Sequence, residues 1–88
     1  MNTLKLVELG RDFAEGKMDA YEFSEAICVE RRNLYGVKNQ QQSVIDCGEE
    51  LFMLAEVYNP DNDRADYELD ELQLREEVQA VLSKFNFL

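Results

Sequence analysis

The chain has 88 residues, nineteen of them acidic and nine basic, with no histidine and no tryptophan. This length predicts one domain, residues 1–88, with one small core. The net charge of −10 disfavours direct binding to nucleic acid or an anionic membrane, because both require positive charge against phosphate.

Four amphipathic segments follow one another along the chain, and no alternating run is long enough to predict a strand. The first covers roughly residues 4–15, with Thr3 as its cap and Gly16 at its end. Its apolar residues share one face: Leu6, Leu9 and Phe13. The spacing predicts a helix.

The second segment opens with the sequence of a capping box, in which Asp19 reaches forward and Glu22 reaches back. Gly36 is suited to the end of this helix. Its inward residues are predicted to be Phe23, Ile27 and Leu34. We interpret Arg31 and Arg32 as cations that offset the dipole near the helix C-terminus.

The third and fourth segments lie on either side of a turn-rich connection, residues 59–66. After a polar loop at 37–42, Ser43 can cap a third helix that Pro60 stops. Its apolar face is predicted to contain Val44, Cys47, Leu51, Ala55 and Tyr58.

The fourth helix is predicted to begin at a second capping pair, Asp70 with Gln73. Its apolar stripe consists of Leu74, Val78, Val81, Leu82 and Phe85. Short loops between helices of roughly 12 to 16 residues favour an all-α fold, an antiparallel four-helix bundle.

The excess of negative charge is confined to one segment. Residues 1–45 carry seven acids and six bases, whereas residues 46–77, the acidic segment, carry twelve acids and two bases, a net charge of −10. A solvated acidic face without a partner is one interpretation. A surface that binds a basic protein, and takes the place of nucleic acid on it, is the other.

An enzyme is not expected, because without histidine only carboxylates, thiols and tyrosines are left for acid–base chemistry. The acidic connection invites comparison with a calcium loop, since Asn59, Asp61 and Asp63 occupy alternate positions. The match fails at Arg64, where a glycine is required, and at Asp70, where a glutamate is required. No metal and no cofactor are therefore predicted.

Cys28 and Cys47 have neither a C-x-x-C nor a zinc-type spacing, and we predict that both are reduced thiols in the core. The N-terminus leads directly into alternating charges, without an apolar stretch typical of a signal peptide or a membrane span. We expect a cytoplasmic protein.

Several runs along the chain belong together as one pattern: residues 28–32 (CVERR), 34–38 (LYGVK), 47–53 (CGEELFM), 55–56 (AE), 60–61 (PD), 63–65 (DRA) and 67–68 (YE). In the same order and spacing, these runs resemble the family of colicin D immunity proteins. The similarity extends at lower identity into both terminal helices. The resemblance implies a four-helix protein that binds, as a 1:1 heterodimer, the C-terminal ribonuclease domain of a toxin that cuts transfer RNA. It further implies that an acidic, RNA-like surface covers the basic catalytic cleft.

The resemblance also implies which residues bind the toxin. Glu56 and Asp61 match acidic positions at the end of the third helix, Asp63 and Glu68 also match, and Tyr67 is the expected packing anchor. Asn59 departs from the pattern, in which an acid stands at this position. The cognate toxin is therefore either a bacteriocin or a contact-dependent inhibition toxin. The alternative is an acidic module that sequesters a different basic protein, such as a DNA-binding protein.

Overall fold

The computed structural model describes residues 4–34, 36–37 and 40–88. These residues form four helices, which we number in chain order: α1 (Lys5–Ala14), α2 (Ala20–Leu34), α3 (Gln42–Glu56) and α4 (Glu71–Lys84). They contain no strand, only an isolated bridge between Tyr58 and Leu69. No helix among them has the length and apolar character needed to cross a membrane.

The four helices pack as a bundle in which consecutive helices contact each other and α4 also packs against α1. The end of α1 lies beside the first half of α4, since Arg75 Nε donates to the Phe13 carbonyl at 3.1 Å. The end of α2 similarly meets the first half of α3, where Arg31 pairs with Glu49. The predicted all-α four-helix bundle is confirmed.

Every helix contributes its apolar stripe to one core. The fully buried side chains include Phe13, Phe23, Ile27, Leu51, Leu74 and Leu82. The Phe13 and Phe23 rings stack with their centroids 4.8 Å apart, which joins α1 to α2. The inward faces predicted from helical spacing are therefore confirmed in all four helices, except at Tyr58 and Phe85, which are half-buried and lie just outside α3 and α4.

Two glycines allow α1 and α3 to approach closely across the bundle. A Cβ added to Gly48 would lie 2.8 Å from Leu6 Cδ1, and one added to Gly10 would lie 2.9 Å from Leu51 Cδ1. Both distances are shorter than a carbon–carbon van der Waals contact. A side chain at either position would therefore require the facing leucine to shift.

Several predicted helix ends are confirmed. Asp70 and Gln73 form the complete capping box of α4. At the start of α2 only the forward half of the predicted box forms: Asp19 Oδ1 accepts a hydrogen bond from Glu22 N at 2.8 Å, while among the described residues the Glu22 carboxylate accepts none. Gly16 and Gly36 both have φ of +81°, the left-handed conformation that ends a helix. Thr3, the predicted cap of α1, lies outside the described residues.

Both predicted ends of α3 are wrong. The helix begins at Gln42, inside the predicted loop, because the Gln41 carbonyl accepts from Val44 N and Ile45 N; Ser43 is therefore helical. It ends at Glu56 rather than at Pro60. The reason is that Val57 O and Asn59 N bond to Leu69, which holds Tyr58 in an extended bridge outside the helix.

The two cysteines differ in burial. Both are free thiols, but only Cys47 is buried, whereas Cys28 is half-buried and lines a surface cavity with Arg31, Arg32 and Phe52. The prediction of a core position is thus wrong for Cys28. Burial raises the pKa of the Cys47 thiol to about 11, and nearby Glu50 adds to the rise.

Candidate functional site

The connection between α3 and α4, residues 57–70, is a closed loop that we call the acidic loop. Its two ends are joined at the base, where Leu69 N donates to Val57 O at 2.8 Å and Asn59 N donates to Leu69 O at 2.9 Å. The Asn59 side chain accepts from Asp61 N at 2.9 Å and so forms the turn after Pro60. The loop therefore has a defined shape.

Glu68 holds the interior of the acidic loop together. Its Oε1 atom accepts from Ala65 N at 2.7 Å and from Asn59 Nδ2 at 3.2 Å. These bonds, with a smaller contribution from Arg64, favour the ionised carboxylate and lower the pKa of Glu68. Glu68 thus positions the loop from within.

Both basic residues of the acidic segment are used inside the fold. Arg64 donates to the Asp61 carbonyl at 2.7 Å and pairs with Asp70 at 3.4 Å. Arg75 donates to the Phe13 carbonyl, and its guanidinium lies 4.5 Å from the Phe13 ring centroid. Because both cations are bound to partners within the fold, they leave the acidic outer surface largely uncompensated.

The base of the acidic loop docks onto the start of α2. Glu71 Oε1 accepts from the buried Ala20 N at 2.6 Å, so a residue of α4 caps α2. Tyr58 lies nearby. Burial is the main cause that raises the pKa of its hydroxyl, and the charges of Glu71, Asp19 and Asp70 add to the rise. Because Ala20 is bonded to Glu71, the neighbouring and exposed Asp19 adds to the acidic surface, although it comes from the nearly neutral first half of the chain.

Six of the twelve carboxylates in the acidic segment have partners within the protein, and we call them the inner acids. Glu49 forms a bidentate pair with Arg31, whose guanidinium also lies 4.2 Å from the Phe52 ring centroid. Arg31 therefore joins α2 to α3, rather than serving only the helix dipole. The inner acids are Asp46, Glu49, Glu50, Glu68, Asp70 and Glu71.

The other six carboxylates are exposed, and within the described residues their side chains have no hydrogen bond or ion pair. We call them the outer acids. Three of them lie in the acidic loop, one directly precedes it at the end of α3, and two lie on α4. They are Glu56, Asp61, Asp63, Asp66, Glu76 and Glu77.

A family model described as bacterial self-protective colicin-like immunity matches residues 1–85 of the chain. The chain belongs to this family. It is therefore an immunity protein against a bacteriocin toxin, and the resemblance seen in the sequence runs is confirmed at this level. No curated protein gave a significant match to the chain.

The structure separates the five residues predicted to bind the toxin into two kinds. Glu56, at the last position of α3, and Asp61, Asp63 and Tyr67 in the acidic loop are exposed, Tyr67 by 72% of its surface. Glu68 is half-buried, and its carboxylate is already bound inside the loop. Four of the five can therefore be reached by a partner, and the fifth shapes the surface that they share.

Sequence reasoning missed two acidic residues of this surface in the immunity protein. Asp66 is an exposed outer acid of the loop, and its place among the closely spaced acids of residues 61–70 could have indicated it. Asp19 was seen only as a helix cap. Its position at the base of the loop depends on how Glu71 packs against the start of α2, which no local pattern encodes.

The comparison with a calcium loop finds no support in the geometry. Asn59 uses its side chain to bond Asp61 N and Glu68, and Arg64 occupies the interior of the loop. Across the described residues, no three His, Cys, Asp or Glu side chains are grouped so that they could hold a metal ion.

Proposed function

We propose that this immunity protein inhibits a colicin D-like ribonuclease toxin, which cuts transfer RNA, by covering the toxin's catalytic cleft with the acidic loop. The observation that carries the proposal is the division of the carboxylates. Four outer acids lie in or directly before one closed loop, and their side chains have no partner among the described residues. Both bases of the acidic segment, in contrast, are bound inside the fold.

The chemistry of such a cleft fits this surface. A ribonuclease must hold the phosphates of its substrate with cations, so its cleft is basic. Carboxylates at Glu56, Asp61 and Asp63 would occupy phosphate positions, and the exposed ring of Tyr67 would supply rigid contact area between them. The toxin's active site would be closed to RNA without any chemical step by the immunity protein.

The internal bonds of the loop add to affinity in this proposal. Glu68, Asn59 and Arg64 hold the outer acids in one arrangement before binding. A preformed surface loses less conformational entropy on association than a disordered one. The acidic field would also accelerate capture, by about 10 to 10³-fold at low salt. Inhibition would take place in the cytoplasm, where transfer RNA is found, through a 1:1 complex.

The test is co-expression of the immunity protein with the basic C-terminal domain of a colicin D-like toxin, scoring growth and transfer RNA integrity. The double variant Glu56→Lys with Asp61→Lys is expected to weaken binding by several kcal/mol, since close charge pairs at an interface are lost. The binding free energy is measured by calorimetry on the purified, folded proteins.

The matched control reverses Glu76 and Glu77, the two outer acids on α4, and so changes the net charge by the same amount. It should lower the association rate, because charges outside the contact surface attract the toxin from a distance. It should leave the dissociation rate unchanged, because that rate depends on the contacts within the complex. Equal loss of affinity in both double variants would show that the acidic loop is not the contact surface.

A further inference from the structure

A second surface with binding properties lies on the outer side of α2, where it meets the start of α1. Tyr21 and Val29 are exposed by 67% and 48%, and both line one open groove. The buried Leu9 and the half-buried Ala26 also line it. Exposed apolar side chains that converge on a groove between helices are typical of a protein-binding surface.

The groove has an acidic rim. Glu22, Glu25 and Glu30 line it, against one cation, Lys5. In the part of the chain that the structure describes, none of the three carboxylates forms an ion pair or accepts a hydrogen bond. The charge is therefore available to a partner.

This charge excludes two of the obvious occupants. A second copy of the chain would bring like charges together at a rim that is already negative, and each copy carries a net charge of −10. An anionic membrane would be repelled for the same reason. The complementary partner has apolar side chains for the centre of the groove and cations for its edge.

We propose that this groove binds a basic amphipathic helix of a protein partner. An apolar stripe at helical spacing would cover Tyr21 and Val29, which lie eight residues apart, or about two turns of α2. Lysine or arginine residues flanking the stripe would pair with the glutamates. This proposal does not rest on the toxin complex, because no residue of the groove belongs to the acidic loop.

The experiment is a titration of the full-length, ¹⁵N-labelled protein with a synthetic helical peptide of leucine and lysine at amphipathic spacing. The amide signals of Tyr21, Ala26 and Val29 are expected to shift and saturate together. The same peptide with glutamate in place of lysine should cause no shift. Added salt should weaken binding, because the carboxylates of the rim are exposed.

Two pairs of variants assign the contacts. Tyr21→Ser with Val29→Ser should weaken peptide binding about tenfold or more, whereas the control Met53→Ser, at an exposed position on α3, should change it less than about twofold. Glu22→Gln with Glu25→Gln should also weaken binding, and the control Glu76→Gln with Glu77→Gln should do so much less. All seven positions are exposed, so the fold is retained.

Three outcomes would overturn the proposal. They are shifts confined to residues 57–70, equal binding of the acidic peptide, and equal effects of Met53→Ser and the groove variants. A negative result in the toxin assay would not contradict peptide binding at the groove. Absence of peptide binding at the groove would not contradict the toxin proposal.

Discussion

Glu68 and Asp63 are five residues apart in the same loop and carry the same charge, yet they do different work. Glu68 accepts two hydrogen bonds inside the loop, while Asp63 is exposed and its carboxylate has no partner among the described residues. The same contrast divides the acidic segment into six inner and six outer acids. One class holds the structure, and the other presents charge.

The contrast explains how a strongly charged loop can keep one shape. Outer carboxylates close together repel one another, which favours an open loop. The bonds of Glu68, Arg64 and Asp70, together with the bridge between Tyr58 and Leu69, oppose that repulsion. Substitutions of inner acids should therefore lower the stability of the fold, whereas substitutions of outer acids should affect binding and leave stability nearly unchanged.

The largest loss of stability is expected at Arg75, where the acidic segment is joined to the end of α1. Arg75→Met keeps much of the apolar stem but removes the hydrogen bond to the Phe13 carbonyl and the cation over the Phe13 ring. We expect the free energy of unfolding to fall by about 2 kcal/mol, measured by urea denaturation. Arg32→Met, at an exposed position on α2, is the control and should change it by less than about 0.5 kcal/mol.

A smaller loss is expected at Glu71. Glu71→Ala leaves the buried Ala20 N without an acceptor and removes a carboxylate from the N-terminus of α2, a change that resembles the loss of a helix cap. We expect a decrease of about 1 kcal/mol in the free energy of unfolding. Glu77→Ala on the same helix should have little effect, and equal effects would contradict the division into inner and outer acids.

The sequence could predict the helices because their apolar residues recur at helical spacing. It also predicted the starts of α2 and α4, where Asp19 and Asp70 precede residues whose amides need a partner. The end of α3 was wrong because it depends on Leu69, twelve residues after Val57, pairing with it across the loop. Local spacing carries no information about such a contact.

The candidate site was predicted in the same uneven way. Charge counting located the acidic segment, and the family resemblance selected five residues in it. Neither could tell Glu68 from Asp63, since the difference is made by Asn59 and Ala65 folding back onto one carboxylate. Nor could they find Asp19, which is brought to the base of the acidic loop only by the packing of α2 against Glu71.

The inner role of Glu68 can be tested through pH. Because its pKa is lower in the folded protein than its ordinary value of 4.5, the ionised form contributes stability above that value. That stability is lost as pH falls through the lower, folded pKa. As the pH falls below about 4.5, the free energy of unfolding of Glu68→Gln should therefore decrease less than that of the wild type. Denaturation curves measured from pH 7 downward check this expectation. Asp63→Asn is the control, and a matching change there would contradict the assignment.

The smallest effect on stability is expected from the outer acids. Asp63→Asn with Asp66→Asn changes the net charge from −10 to −8 and breaks no bond of the described fold. The free energy of unfolding should stay within about 0.5 kcal/mol of wild type at physiological salt. At about 0.01 M salt it should rise, because repulsion then reaches roughly 30 Å and its relief favours the closed loop. A clear loss of stability at either salt concentration would mean that these carboxylates help to hold the loop. The division into inner acids, which support the structure, and outer acids, which are available to a partner, would then be wrong.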